Sequence, residues 1–363
     1  MSCRRHPSTT SPPWWTWFTK CRSDETACRP PVAPAPPVAG GRGPWRRLST
    51  RPPPEPGDPR VIDSVLLIAF GGPAAREEIR PFLDNVARGR RIPRERIEEV
   101  ARHYEQMPGG RSPLRELTER QAAALGAALA HAGRPLPVYA GMRHWHPYLA
   151  ETLAAMATGG ARRALGIILS SLRTEASWER YQADVATARA KVAGAPDVVF
   201  APGWSDHPLF IEAVTDRAAA ALAEVAPDRR AWTPLVFTAH SVPVPMAEAS
   251  PYVAELSAAA ERVADRLRHK RWSLAYQSRS GSPREPWLEP DIGEVIRSFA
   301  SDGERDVVVV PVGFVCDHVE VLYDLDVEAR AAAEACGVRL HRAQAVNDHP
   351  KFIELLADLV TRA

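Results

Sequence analysis

The sequence predicts an α/β protein made of two similar Rossmann-like lobes. Each lobe is a four-stranded parallel sheet flanked by helices, with a cleft between them. From residue 61 onward, short apolar runs alternate with segments of helical period, the pattern of parallel strands joined by crossover helices. Eight such runs fall into two sets of four, at residues 64–70, 137–140, 164–170 and 197–201, then 234–238, 272–276, 306–312 and 337–340. The two sets also begin alike. Val65-Leu66-Leu67-Ile68-Ala69-Phe70-Gly71-Gly72-Pro73 and Leu235-Val236-Phe237-Thr238-Ala239-His240-Ser241-Val242-Pro243 each read strand, small residue, turn, proline, a weak internal repeat.

Residues 1–60 hold 14 of the 35 prolines and carry no strand or helix period. Such a segment cannot bury a core and is expected to be disordered. Its low acid and high Arg/Ser/Thr content also suits an organelle transit peptide, and Trp14-Trp15-Thr16-Trp17-Phe18 could touch a membrane surface. The simplest reading is an upstream non-native start, with true translation beginning near Val61.

The first strand stops at Gly71-Gly72-Pro73. A second turn, Pro108-Gly109-Gly110-Arg111-Ser112-Pro113-Leu114, opens a helix over 112–132. Neither turn is a GxGxxG dinucleotide fingerprint, but both can bring backbone close to a ligand. The second strand leads into Gly141-Met142-Arg143-His144-Trp145-His146-Pro147, and the third into Ser170-Ser171-Leu172-Arg173. A linker is expected near 193–205. Helices follow over 207–226, 249–268 and 318–336, and a last one over 350–362 could cross back onto the first lobe. The expected organisation is therefore an extension at 1–60, lobes at 61–195 and 196–345, and a C-terminal helix at 346–363.

A composition of 45% hydrophobic and 25% charged residues is that of a soluble globular enzyme. The net charge of +2 conceals an asymmetry. Residues 1–60 carry ten Lys/Arg against four Asp/Glu, leaving 36 against 40 in the rest, which argues against nucleic-acid binding. No run approaches the length of a membrane-spanning helix. Of five cysteines only Cys316 and Cys336 lie in the body, too few for a disulfide framework, so a reducing, cytoplasmic location is expected.

His240 follows a buried-type strand that Ser241 and Pro243 stop. Its imidazole should stand at the carboxyl edge of the second sheet, where it can bind a metal or accept a proton near neutral pH. The competing reading is a histidine that merely caps a strand. Glu320, Asp324 and Glu328 recur every four residues. On an α-helix that spacing overshoots a turn by only about 40°, so the three carboxylates share a face. A solvated acidic face is the usual meaning of such a pattern. Here the ladder begins at a strand mouth, in Cys316-Asp317-His318-Val319-Glu320, and hard carboxylate oxygens could relay a divalent cation or protons. Arg143 could hold a carboxylate and Trp145 could stack on a flat ligand. His103, His207 and His349, in or before helices, are more often surface or core groups than ligands.

At these residues the chain resembles the ferrochelatase family, which inserts ferrous iron into a porphyrin in haem synthesis, and looks most like its actinobacterial branch. The similarity runs from about Ser64 to Leu359. It includes Phe70–Pro73 with Pro81-Phe82-Leu83-Asp84-Asn85-Val86, Gly89-Arg90-Arg91-Ile92-Pro93, His103-Tyr104, and Arg143-His144-Trp145-His146-Pro147. It continues through Ala239–Pro243, Gln277-Ser278-Arg279-Ser280-Gly281, Pro286-Trp287-Leu288 and Asp317–Asp326. The set is specific, although each stretch alone would be weak.

The resemblance implies the two-lobed chelatase fold, with His240 and Glu320 as catalytic and iron-binding residues and Asp324 and Glu328 as a relay. Arg143, Trp145 and Trp287 are weaker candidates for gripping the porphyrin. It implies porphyrin and Fe2+ as substrates, no tightly bound cofactor, and transient contact with a membrane surface or another haem-pathway enzyme. Two departures stand out. Many relatives carry a tyrosine where this chain has Ser170–Arg173, and the four cysteines that hold an iron–sulfur cluster in some members are lacking. Insertion requires removing two pyrrole protons and stripping water from the ion, which suits a base opposite a carboxylate. The substrate could be protoporphyrin IX or coproporphyrin III. The alternatives are a cobalt or corrin-type chelatase of the same fold and a non-catalytic haem- or porphyrin-binding protein.

Overall fold

The computed structural model describes residues 61–89, 92–280 and 284–363, all within one compact unit, Thr50–Ala363. The expectations for residues 1–60 lie outside the described residues.

Strands and helices alternate along the chain. The first half runs β1 Ser64–Ala69, α1 Ile79–Ala87, α2 Arg94–Gln106, α3 Leu114–His131, β2 Val138–Met142, α4 Leu149–Thr158, β3 Arg163–Ile168, α5 Arg180–Arg189, β4 Asp197–Phe200 and α6 Pro208–Ala223. The second runs β5 Leu235–His240, α7 Val244–Glu248, α8 Tyr252–Leu267, β6 Trp272–Gln277, α9 Ile292–Ser301, β7 Asp306–Val310, α10 Val319–Leu322, α11 Arg330–Ala335, β8 Arg339–Arg342 and α12 Pro350–Arg362.

The strands form two all-parallel sheets of identical order, β2-β1-β3-β4 and β6-β5-β7-β8. The weak repeat in the sequence is thus a repeat of topology. β1 and β7 are buried along their whole length, as inner strands covered by helices on both faces must be, and this is why they read as unbroken apolar runs. Leu66 and Ile68 pack with Leu153 and Met156 of α4 and Tyr181 and Val185 of α5. Val236, Val307 and Val309 pack with Ile296 of α9 and with Val321 and Leu325. In each sheet the winding reverses beside the first strand, between β1 and β3 and between β5 and β7. Such switch points open a crevice outside the carboxyl ends of the strands.

The halves meet at several places, among them the following two. Val319 and Leu322 of α10 pack on Phe82, Leu83, Ala101 and Tyr104 of α1 and α2, and Tyr323 stacks on His103 with ring centroids 3.8 Å apart. At the far end α12 packs on both α3 and α6, where His207 Nε2 lies 2.9 Å from Asp358 Oδ2. Among the described residues no helix is long and apolar enough to cross a membrane.

Two expectations need correction. β4 pairs with β3, so the first sheet extends to Phe200, beyond the boundary set at residue 195, and the expected linker at 193–205 falls on an edge strand. The passage to the second sheet runs instead through α6. The strand matches the apolar run at 197–201. This four-residue edge strand, exposed at Asp197 and half-buried after it, belongs to the first lobe, and the expected boundary at 195 lies just before it. The helix expected over 318–336 is also broken, into α10, a π-helical turn at Asp324–Ala329, and α11. Glu328 N–H donates to Tyr323 O, five residues back, at 3.0 Å, the bond that defines a π turn.

Candidate functional site

A cleft of about 300 Å³ opens at the carboxyl ends of both sheets. The segments that line it follow the switch-point strands. Phe70 and Gly71 come after β1, Ser170 and Leu172 after β3, His240 at the end of β5, and Gly313 to Cys316 with His318 to Glu320 after β7. Gly313 is required here. A Cβ at this position would lie 2.5 Å from Ala239 Cβ, so only glycine lets the chain leaving β7 pass beneath the end of β5, where Gly313 N–H bonds Thr238 O at 3.0 Å.

His240 ends β5 in register with Gln277 of β6. Its Nδ1–H donates to Ser241 O, which leaves the Nε2 lone pair of the neutral ring facing the cleft. Nε2 lies 3.4 Å from Glu320 Oε1. Tyr252 Oη donates to His240 O at 2.8 Å and fixes the strand end from behind. Burial disfavours the imidazolium. The Glu320 charge and hydrogen bond, the Ser241 carbonyl and Asp324 outweigh it, so the His240 pKa stands above its ordinary value.

Glu320 is set by three contacts to its backbone and side chain. Its N–H bonds His318 Nδ1 at 3.2 Å, its carbonyl accepts from Gln277 Nε2, and Oε2 lies 3.9 Å from His318 Nε2. Burial would raise the carboxyl pKa, yet His240 and His318 hold it well below the usual carboxylate range. Burial also lowers the proton affinity of His318, consistent with a neutral ring whose Nδ1 accepts the helix cap.

The segment bearing Glu320 is clamped from both sides by Arg342. Its guanidinium grips Asp326 at 2.7 and 2.8 Å and Asp317 at 2.8 Å. Asp317 also accepts from Asn347 Nδ2 at 2.8 Å and Ala345 N at 3.1 Å.

The carboxylate ladder leads outward. Glu320 lies in the cleft, Asp324 is half-buried, and Glu328 is exposed. Asp324 accepts from Ser278 Oγ. Burial, joined by the Glu320 and Glu328 charges and opposed by Ser278 and His240, pushes its pKa up to about 7. Burial raises that of Glu328 as well. The π turn replaces the simple α face expected from the four-residue spacing. Among the described residues no three His, Cys, Asp or Glu side chains form a metal-holding group.

Of the residues expected to grip a ligand, only Arg143 lines the cleft. Its guanidinium lies over the Tyr181 ring at 4.1 Å, and Nε donates to Asp184 at 2.6 Å. Trp145 is turned away, with Nε1 donating to Glu78 at 2.7 Å and the ring edge-on to Phe82 at 5.9 Å. Trp287 lies outside the cleft lining and bridges Pro243 across an antiparallel step. The Trp145 indole is taken up by packing partners that are remote in sequence. Tyr104, Tyr181, Tyr252 and His318 line the cleft unanticipated. Only His318, two residues before Glu320 in a strand-mouth motif, gave a sequence signal.

Paired four-stranded parallel sheets with a cleft across their switch points define a two-lobed α/β protein of the chelatase type. SirB from Bacillus subtilis with Fe3+ has this fold, aligning with a TM-score of 0.51 at 11% identity over 83% of this chain and 94% of that one. The ferrochelatase family model matches residues 63–363. A coproporphyrin III ferrochelatase of Mycolicibacterium smegmatis is 43% identical over 303 residues, 82% of this chain and 89% of that protein. A ferrochelatase of Rhodopirellula baltica is 40% identical over 301 residues, 82% of this chain and 85% of its own. The chain belongs to the ferrochelatase family, and it is an enzyme that inserts Fe2+ into a porphyrin.

Proposed function

We propose that the porphyrin is coproporphyrin III and that His240 and Glu320 exchange metal for proton across the cleft. The substrate reading is supported by relatives 42–43% identical that carry this name in several actinobacteria. The reading of the chemistry rests on one observation, the approach of His240 Nε2 to Glu320 Oε1 at 3.4 Å with Nδ1 already committed to Ser241.

In the free site the Glu320 charge favours the imidazolium. Fe2+ at Glu320 neutralises that charge, so the proton on His240 loses its partner and leaves. The freed Nε2 lone pair then accepts a pyrrole proton while the porphyrin nitrogens replace water around the ion. Two such transfers release two protons for each iron inserted. Asp324, titrating near pH 7, is suited to take them from the cleft, and exposed Glu328 to pass them to water. The same carboxylates can draw Fe2+ inward, since hard divalent cations prefer oxygen ligands that keep some of their water.

Anaerobic insertion with coproporphyrin III and protoporphyrin IX offered separately tests the substrate. A higher kcat/KM with coproporphyrin supports it, and a preference for protoporphyrin overturns it. Stoichiometric porphyrin binding without insertion would point instead to a binding protein.

A further inference from the structure

We infer that Arg173 and Glu255 are positioning residues that fix the porphyrin-facing wall of the first lobe against the histidine of the second. The inference rests on the insertion activity but not on which porphyrin is used.

The loop after β3 supplies one wall of the cleft through Ser170, Leu172, Thr174 and Ser177. Arg173 lies within that loop but serves the opposite lobe. Its Nε donates to Glu255 Oε1 at 2.6 Å, Nη2 lies 2.5 Å from the same oxygen, and its backbone N–H donates to Oε2 at 2.9 Å. Both carboxylate oxygens are therefore engaged by one residue, through side chain and main chain together. The Glu255 side chain is only 10% exposed, so water screens the pair less than a surface bridge.

The surroundings are shaped for this arginine. Gly203, in the loop after β4, leaves the space it occupies, because a Cβ there would lie 2.7 Å from Arg173 Nε. The Trp178 ring centroid lies 6.0 Å from the guanidinium carbon. A planar fork fits a slot between a carboxylate and an indole in a way an ammonium does not.

The helix that receives Arg173 also holds the catalytic side. Glu255 is three residues beyond Tyr252, so both lie on one face of the first turn of α8. Tyr252 bonds the carbonyl of His240, and Glu255 bonds the loop that carries Leu172. One helical turn thus ties the end of β5 to the wall across the cleft and sets the gap into which the macrocycle must fit. Substrate held even slightly out of place reacts slowly or binds poorly.

The test is steady-state anaerobic insertion, with porphyrin binding read separately by fluorescence, in Glu255→Gln, Arg173→Gln and the double variant. Each single change should raise the KM and Kd for porphyrin roughly three- to tenfold, the scale of one partly screened ion pair. The KM for Fe2+ should stay within about twofold. The double variant should lose no more than either single one, since the two act as a unit. Arg173→Lys should fall between wild type and Arg173→Gln, and it decides the matter if the glutamine variants do not fold. Porphyrin KM and Kd unchanged in folded variants would overturn the inference. So would an equal rise in Arg180→Gln, which disturbs only the exposed Arg180–Glu175 pair of the neighbouring turn.

Discussion

His240 Nε2 and Glu320 Oε1 lie 3.4 Å apart across the cleft, brought together from the ends of β5 and the segment after β7. The pair stabilises imidazolium and carboxylate mutually, and in the proposed exchange proton and metal are alternatives at one place rather than joint occupants. Replacing His240 with Ala should therefore lower kcat by at least about a hundredfold, the scale of a lost general base, while the far-ultraviolet spectrum and porphyrin binding persist. Purified, folded His240→Ala turning over like wild type would remove this histidine from the mechanism.

Asp324 makes a pH signature. Its folded pKa of about 7 stands above its ordinary value, chiefly through burial. The folded state thus binds the proton more tightly than the unfolded chain, and this group contributes stability at low pH that is lost as pH rises through 7. Asp324→Asn should leave stability near pH 4 unchanged and raise it at pH 8 by on the order of 1–3 kcal/mol, less than the full shift because the site opens to water. Urea titrations at both pH values provide the measurement. If Asp324 takes up protons from the cleft, kcat should rise through pH 7 as it ionises, and the variant should lack that rise.

Arg342 holds Asp317 and Asp326 on either side of the Glu320 segment. Arg342→Met would leave buried Asp317 without its cation and half-buried Asp326 with Arg330 at 3.6 Å, which costs about 2–4 kcal/mol. Insertion should fall further than stability alone explains, since the clamp sets Glu320. Unaltered kcat in a destabilised variant would mean that the clamp serves folding only.

The family match begins at residue 63, and every cleft residue lies beyond it. A chain starting at Val61 should express and insert iron at the wild-type rate, as a direct rate comparison would reveal. Loss of soluble protein would assign residues 1–60 a structural part.

Much of this was legible because it obeys local rules. Ser64–Ala69 and Asp306–Val310 are buried on both faces and so read as unbroken apolar runs, and His240 stood out because Ser241 and Pro243 stop its strand. The π turn did not. A five-residue bond from Glu328 to Tyr323 leaves nearly the same side-chain spacing as an α-helix, so the pattern of Glu320, Asp324 and Glu328 fits either. Trp145 and Trp287 looked like ligand platforms because an indole in a loop has no visible partner in sequence. Glu78 and Phe82, which take up Trp145, lie more than sixty residues away. Arg173 was hidden for the same reason, since Glu255 belongs to the other half of the chain.

The exchange between metal and proton at Glu320 is tested most directly by anaerobic insertion kinetics as a function of Fe2+ in Glu320→Gln and Glu328→Gln. The amide keeps the size of Glu320 but removes its charge, so kcat should collapse by about a hundredfold or more. At exposed Glu328 the same change should raise the KM for Fe2+ several-fold with kcat nearly intact. Equal losses of kcat at both positions, with unchanged dependence on Fe2+, would contradict the account and leave only a shared electrostatic field.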